Sequence, residues 1–176
     1  MKKGFTMIEL IFVIVILGIL ASVAIPRLSA TRTDAEISAT VANLRTILSD
    51  AASYYAVKGS FTGAKWQDIT NVPLLKLDGK PIDDYNVATN NAFLAADGKK
   101  CIAIRLVDKT TTTAGTTTTT VPAHIIFGKD RRNGVCGEVL KADAVKAFVE
   151  ARVDGVELGD GIGDGAIAIG SSTTIY

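Results

Sequence analysis

Histidine is almost absent from this sequence, and the shortage closes several routes at once. His124 is the only one, too little for the usual zinc sites and for histidine-dependent catalysis. It reads as a strand residue with a satisfied ring and not as a base. Net charge is also close to zero. Nineteen Lys and Arg against 18 Asp and Glu give a formal +1, so nothing draws the chain to a polyanion, and nucleic acid is not an expected partner. There is no glycine-rich phosphate loop and no nucleophile motif. The expectation is a protein that is not an enzyme and holds no cofactor.

Charge is scarcest at the N-terminus. From Phe5 to Ile25 the only charged residue is Glu9. As a helix, that run crosses roughly 30 Å of hydrocarbon. The remaining roughly 150 residues have ordinary globular composition and suffice for one modest core. Glu9 is the anomaly, because a charge at mid-bilayer costs about 2.5–3.5 kcal/mol on insertion scales.

Three readings compete for this segment. A cleaved signal peptide has small residues at Ser22-Val23-Ala24, but its apolar region is normally about 7–15 residues and uncharged. A plain uncleaved anchor puts Glu9 near the headgroups, where the penalty falls away, but leaves "KKGFT" unexplained. The flanking charges decide little about orientation. Lys2 and Lys3 precede the span, and Arg27 and Arg32 follow it.

The third reading is a resemblance. "Lys2-Lys3-Gly4-Phe5-Thr6-x-x-Glu9" followed by an unbroken apolar run resembles the N-terminus of type IV pilins and type II secretion pseudopilins. "Gly18-Ile19-Leu20-Ala21" and "Ala24-Ile25-Pro26" extend the match. Met7 stands where the family usually has leucine. The resemblance implies that a membrane prepilin peptidase cuts on the cytoplasmic side between Gly4 and Phe5, then N-methylates Phe5. It also gives Glu9 an assembly role. The α-ammonium created at Phe5 of one subunit meets the Glu9 carboxylate of its neighbour, fixing the stagger of parallel helices.

The helical pattern continues beyond Pro26. Ile37, Val41, Leu44, Leu48, Ala51 and Tyr55 form an apolar stripe, with Ser38, Asn43, Arg45 and Asp50 opposite. "Thr33-Asp34-Ala35-Glu36" is either a capping box restarting a helix or a turn within one continuous helix. Gly59 is the expected stop. Gly18 and Pro26 bracket the stretch where helical hydrogen bonding is weakest, the expected place for a kink. The predicted organisation is a leader at 1–4, a transmembrane or filament-core helix at 5–26, an amphipathic helix at 27–58 and a β-rich head at 59–176. The fold class is α+β, with a long N-terminal helix packed on a small antiparallel sheet.

Within the head, Ser60 to Lys100 reads as loop. "Cys101-Ile102-Ala103-Ile104-Arg105-Leu106-Val107-Asp108" reads as a strand, and Val121 to Phe127 as a second, with Pro122 at an edge or a start. The threonine-rich stretch between them reads as an exposed hairpin tip whose composition also fits O-glycosylation. Lys141 to Arg152 reads as a short surface helix through Ala142, Val145, Phe148 and Val149.

The cysteines number two, Cys101 and Cys136. An exported chain enters an oxidising compartment, so a disulfide between them is expected. The alternative is two buried thiols that never meet. Pilins of the family often staple the C-terminal part of the head this way, but here Cys136 lies 40 residues before the C-terminus. Asp154 to Gly165 alternates acids with glycines. Asp160 and Asp164 are its candidate calcium ligands, although the spacing fits neither an EF-hand nor a nonapeptide repeat, and a solvated turn is preferred.

These readings converge on a pilin-like subunit of a homo-oligomeric filament. It would wait in the inner membrane with a cytoplasmic N-terminus and a periplasmic head, and be drawn into a filament by an inner-membrane assembly platform. A type II secretion pseudopilus is preferred to a type IV pilus for adhesion, motility or DNA uptake. A membrane-anchored periplasmic binding module that never polymerises is the alternative of a different class.

Overall fold

The computed structural model describes residues 6–87, 90–114, 116–130, 134–153 and 165–169, without the side chains of Pro26, Ser29, Ala114 and Thr117. The chain forms two compact units, Met1–Ala35 and Glu36–Tyr176. Helix α1 spans Met7–Lys58. Its run is unbroken through Gly18, Pro26 and the Thr33–Glu36 segment, so the possible capping box at Thr33 is an internal turn of one helix.

In the first unit, the described side chains from Thr6 to Arg32 are all exposed. Consecutive residues such as Leu10, Ile11, Phe12 and Val13 are apolar on every side of the helix. A helix of that kind belongs in lipid or among other helices, not in water.

In the second unit, the remainder of α1 is amphipathic. Thr40, Leu44, Ile47 and Ala51 are buried, flanked by the half-buried Ile37, Val41, Leu48 and Tyr55. The buried face thus includes Thr40 and Ile47, outside the expected stripe. Asp50 is not on a solvated face as expected. It is half-buried, and its Oδ2 accepts a hydrogen bond of 2.7 Å from the Thr70 hydroxyl. Gly59 ends the helix in the left-handed region at φ +72°, where glycine carries no Cβ penalty. Its N–H reaches the Tyr55 carbonyl at 2.8 Å.

The chain then runs through α2 (Trp66–Ile69), β1 (Leu74–Leu75), β2 (Ala92–Ala96), β3 (Lys99–Val107), β4 (Thr110–Ala114), β5 (Thr117–Val121), β6 (His124–Lys129), α3 (Val135–Lys141), α4 (Asp143–Val149) and β7 (Gly165–Ala168). Strands β1-β2-β3-β6-β7 lie in that order in one antiparallel sheet, and β4 and β5 form a separate ribbon. The layout is α+β and pilin-like.

Two local expectations need correction. The 60–100 segment is not simply loop, since it holds α2, β1, β2 and the first residues of β3. Asp97 and Gly98, at φ +51° and +69°, close the β2–β3 hairpin between the paired Ala96 and Lys99. Positive φ at both central residues is what a two-residue type I′ turn requires. Val121 to Phe127 is also not one strand. Pro122 has no N–H for a ladder, and the chain breaks there between β5 and β6.

Ile102, Ile104 and Leu106 of β3 and Ile125 and Phe127 of β6 share one buried core with Leu44, Ile47, Ala51, Val139 and Val145. The opposite sheet face is buried at Phe93, Ala103, Ile126 and Ala166. Phe148 of α4 meets Phe127 edge-on, with ring centroids 5.8 Å apart. Cys101 and Cys136 form a disulfide that ties α3 to β3. The loop-entropy model gives about 4 kcal/mol for closing a loop of this size, although its mechanism is disputed.

Candidate functional site

Thr6 and Glu9 build the N-terminus of α1. The Thr6 backbone N–H donates to Glu9 Oε2 at 3.0 Å and the Thr6 hydroxyl donates to the same oxygen at 2.8 Å. In return the Glu9 N–H points to Thr6 Oγ1 at 3.4 Å. This is a reciprocal capping box, Thr-x-x-Glu, which satisfies donors that a helix start leaves without intrahelical partners. Glu9 therefore has a structural role within a single chain. Its presence does not by itself demand a neighbouring subunit.

Beyond this polar start, the helix presents apolar side chains that are exposed among the described residues. Met7 is 78% exposed and Leu20 62%. The helix is long and apolar enough to cross a membrane. The polar exception, Ser22, turns its hydroxyl to the Ile19 carbonyl at 2.7 Å, which hides a donor that lipid could not satisfy.

Residues 1–25 match the family model described as the prokaryotic N-terminal methylation motif. This N-terminal segment is type IV pilin-like. No curated protein and no solved structure matches the chain. The motif implies a prepilin peptidase substrate and pilin assembly in general, and the apolar helix that carries it is compatible with a membrane anchor.

Several predicted sites of the chain lie outside the described residues. These are Gly4 and Phe5 at the processing site, and Asp160 and Asp164 in the acidic stretch. Among the described residues, no group of three or more His, Cys, Asp or Glu side chains converges as metal ligands would. Gly18 lies within the helix, and a Cβ there would meet nothing within 4 Å. His124 is buried in β6, its Nδ1 2.8 Å from the Pro122 carbonyl oxygen.

The sequence reading used Thr6 only as a motif letter and passed over its cap, although Thr-x-x-Glu before an apolar run is itself a helix-start signal. It also missed Asp108, just past β3. The Asp108 carboxylate accepts hydrogen bonds from Ser60 Oγ at 2.9 Å, the Phe61 N–H at 2.6 Å and Thr62 Oγ1 at 3.0 Å. One side chain thus fastens the exit of α1 to the sheet and seats Phe61 against Tyr54 and Tyr55. No local signal announces a contact across that sequence distance.

Elsewhere on the head, ion pairs range from the half-buried Lys100–Asp130 to pairs at the surface. Asp83 beside Lys76 holds that ammonium above its usual range, chiefly by a hydrogen bond, and is itself held below the usual carboxylate range. Lys65 is raised in the same way by Asp84. Such surface pairs are screened by salt and do not make a site.

Proposed function

We propose that this chain is a structural subunit of a type II secretion pseudopilus, acting by polymerisation and not by catalysis. The observation that supports polymerisation, common to pseudopilus and pilus, is the methylation motif on a helix whose first unit is apolar all round and exposed. Such a surface needs lipid before assembly and the helices of other subunits after it.

The sequence of events follows from the chemistry. The precursor waits in the inner membrane, N-terminus in the cytoplasm and head in the periplasm, where a Cys101–Cys136 disulfide suits the oxidising compartment. The prepilin peptidase cuts between Gly4 and Phe5 and methylates the new terminus. The assembly platform then adds the subunit to a filament of identical chains, with helices inside and heads outside. The Phe5 ammonium of one subunit pairs with Glu9 of the next. A buried charge left unpaired is costly, so the pair selects one axial offset.

Deletion of the gene, followed by secretion and piliation assays, tests the reading. Loss of exoprotein secretion with surface pili retained is expected. Loss of pili with secretion intact would assign the chain to a type IV pilus. Normal secretion and normal piliation would favour an anchored module that does not polymerise.

A further inference from the structure

Strands β4 and β5 form an arm of the head. They prolong the β3–β6 hairpin past its Val107↔His124 pair, and pairing resumes at Thr110↔Val121. From there it runs without a bulge to Ala114↔Thr117. Five residues of strand extend about 17 Å.

The arm is a two-stranded sheet of its own, so each strand keeps an outer edge that the ladder does not use. Thr110 to Thr113 and Thr118 to Thr120 are exposed. The five-stranded sheet differs, because the chain's own backbone occupies both of its edges. At β1 the Ile82 N–H donates to the Leu74 carbonyl at 3.1 Å, and Leu75 bridges to Pro81. At β7 the Ala166 N–H donates to the Ala151 carbonyl at 2.8 Å. Among the described residues, β4 and β5 are the strands left with open edges.

Open edges are normally blunted by charge, proline or bulges. No charged residue occurs from Thr110 to Ala123, and Pro122 lies beyond the end of β5. The arm is filled instead with threonine, which is β-branched and favours extended chain.

The edge is also suited to its own copy. Inside the chain every mid-arm pair is threonine on threonine, from Thr111↔Thr120 to Thr113↔Thr118. The outer two of these pairs bring their Oγ1 atoms to 3.4 Å. A second β4, laid antiparallel and centred on Thr112, repeats that pattern, with Thr111 of each copy facing Thr113 of the other. No like charges meet, since Lys109 of each copy falls beyond the far end of the other's strand. The two heads lie at opposite ends of the joined sheet and do not collide. Strand β5 is the poorer edge, because Val121 is half-buried and Pro122, which lacks an N–H, follows it.

We propose that β4 is a self-association edge. Two copies of this chain join antiparallel through Thr110–Ala114 into a four-stranded sheet, with a two-fold axis at Thr112. The contact is separate from the helix packing of the filament reading, and two copies held in one membrane suffice for it.

Cysteine cross-linking of the full chain in native membranes tests this. Cys101 and Cys136 are bonded to each other, so an added cysteine supplies the reactive thiol. Thr112→Cys sets two thiols across the axis, on residues whose Cα atoms are about 4.5–5.5 Å apart as in any directly opposed antiparallel pair. A disulfide spans that distance. Thr119→Cys places its two copies three strand spacings apart, about 14 Å, which is out of reach. Mild oxidation should give a reducible dimer with Thr112→Cys and several-fold less with Thr119→Cys. Adding Thr111→Lys and Thr113→Lys to Thr112→Cys sets like charges opposite each other twice. That variant should lose the dimer while its head melts at the parent temperature. Equal cross-linking at the two positions, no dimer with Thr112→Cys, or a dimer that survives the lysines overturns the proposal. Filament yield of the parent chain is scored separately, so failure of polymerisation and failure of this contact are told apart.

Discussion

Glu9 Oε2 accepts hydrogen bonds from both the backbone N–H and the hydroxyl of Thr6, at 3.0 and 2.8 Å. The carboxylate that looks misplaced in an apolar run is thus satisfied by its own helix start. The proposed assembly would place a second demand on the same group. Glu9→Ala should cut filament yield severely, since breaking one side of a buried pair costs about 3–5 kcal/mol at every subunit added. Thr6→Ala removes only the cap and should cost about 1 kcal/mol, with a correspondingly milder loss of filaments. Neither should change the melting temperature of the head, which belongs to a separate compact unit. Filament yield and head melting are measured side by side. Glu9→Ala filaments at parental yield would remove the assembly role and leave the cap alone.

Asp108 and Phe61 supply the second prediction. Asp108→Ala removes the acceptor of the Phe61 N–H, at 2.6 Å, together with those of Ser60 and Thr62. A part-buried backbone donor left without a partner costs on the order of 1–3 kcal/mol. The denaturation midpoint of the head should fall accordingly, with Asp108→Asn intermediate because it keeps one carbonyl oxygen. An unchanged midpoint for Asp108→Ala would show that the loop after α1 is held by Phe61 packing alone.

Gly165 gives the third. It opens β7 against the end of α4, and a Cβ there would lie 2.4 Å from the Val149 carbonyl carbon and 2.5 Å from the Phe148 oxygen. Those neighbours are backbone and do not rotate away. Gly165→Ala should destabilise the head by about 1–3 kcal/mol through overpacking, seen as a lower melting temperature. A neutral result would mean that β7 does not sit this close to α4.

The parts legible in the sequence were those whose cause is local. The Gly4, Phe5 and Glu9 motif, the helix through Lys58 and its stop at Gly59 rest on neighbouring residues or on a short period. What was missed depends on distant partners. Ala92–Ala96 reads poorly as a strand because four of its five residues are buried, which erases the polar alternation a half-buried strand shows. Its Asp97-Gly98 turn was nevertheless a readable hairpin signal. Ile47 and Thr40 joined the buried face of α1 only once the sheet decided which side to cover. Asp108 clamps a backbone amide 47 residues away, and no spacing rule reaches that far. Helix α3 was hidden by its composition, because Gly137 inside it weakens helix propensity.

The most direct test of the account is the mass of the mature N-terminus. Protein is extracted from membranes that contain the native peptidase, digested, and its N-terminal peptide sequenced by mass spectrometry. The account predicts a chain that begins at Phe5, with the Phe5 nitrogen methylated. It also predicts that Gly4→Val, by crowding the peptidase site, leaves the precursor uncut. A chain that retains Met1, or one that begins at Ile25 after signal-peptidase cleavage, would contradict it.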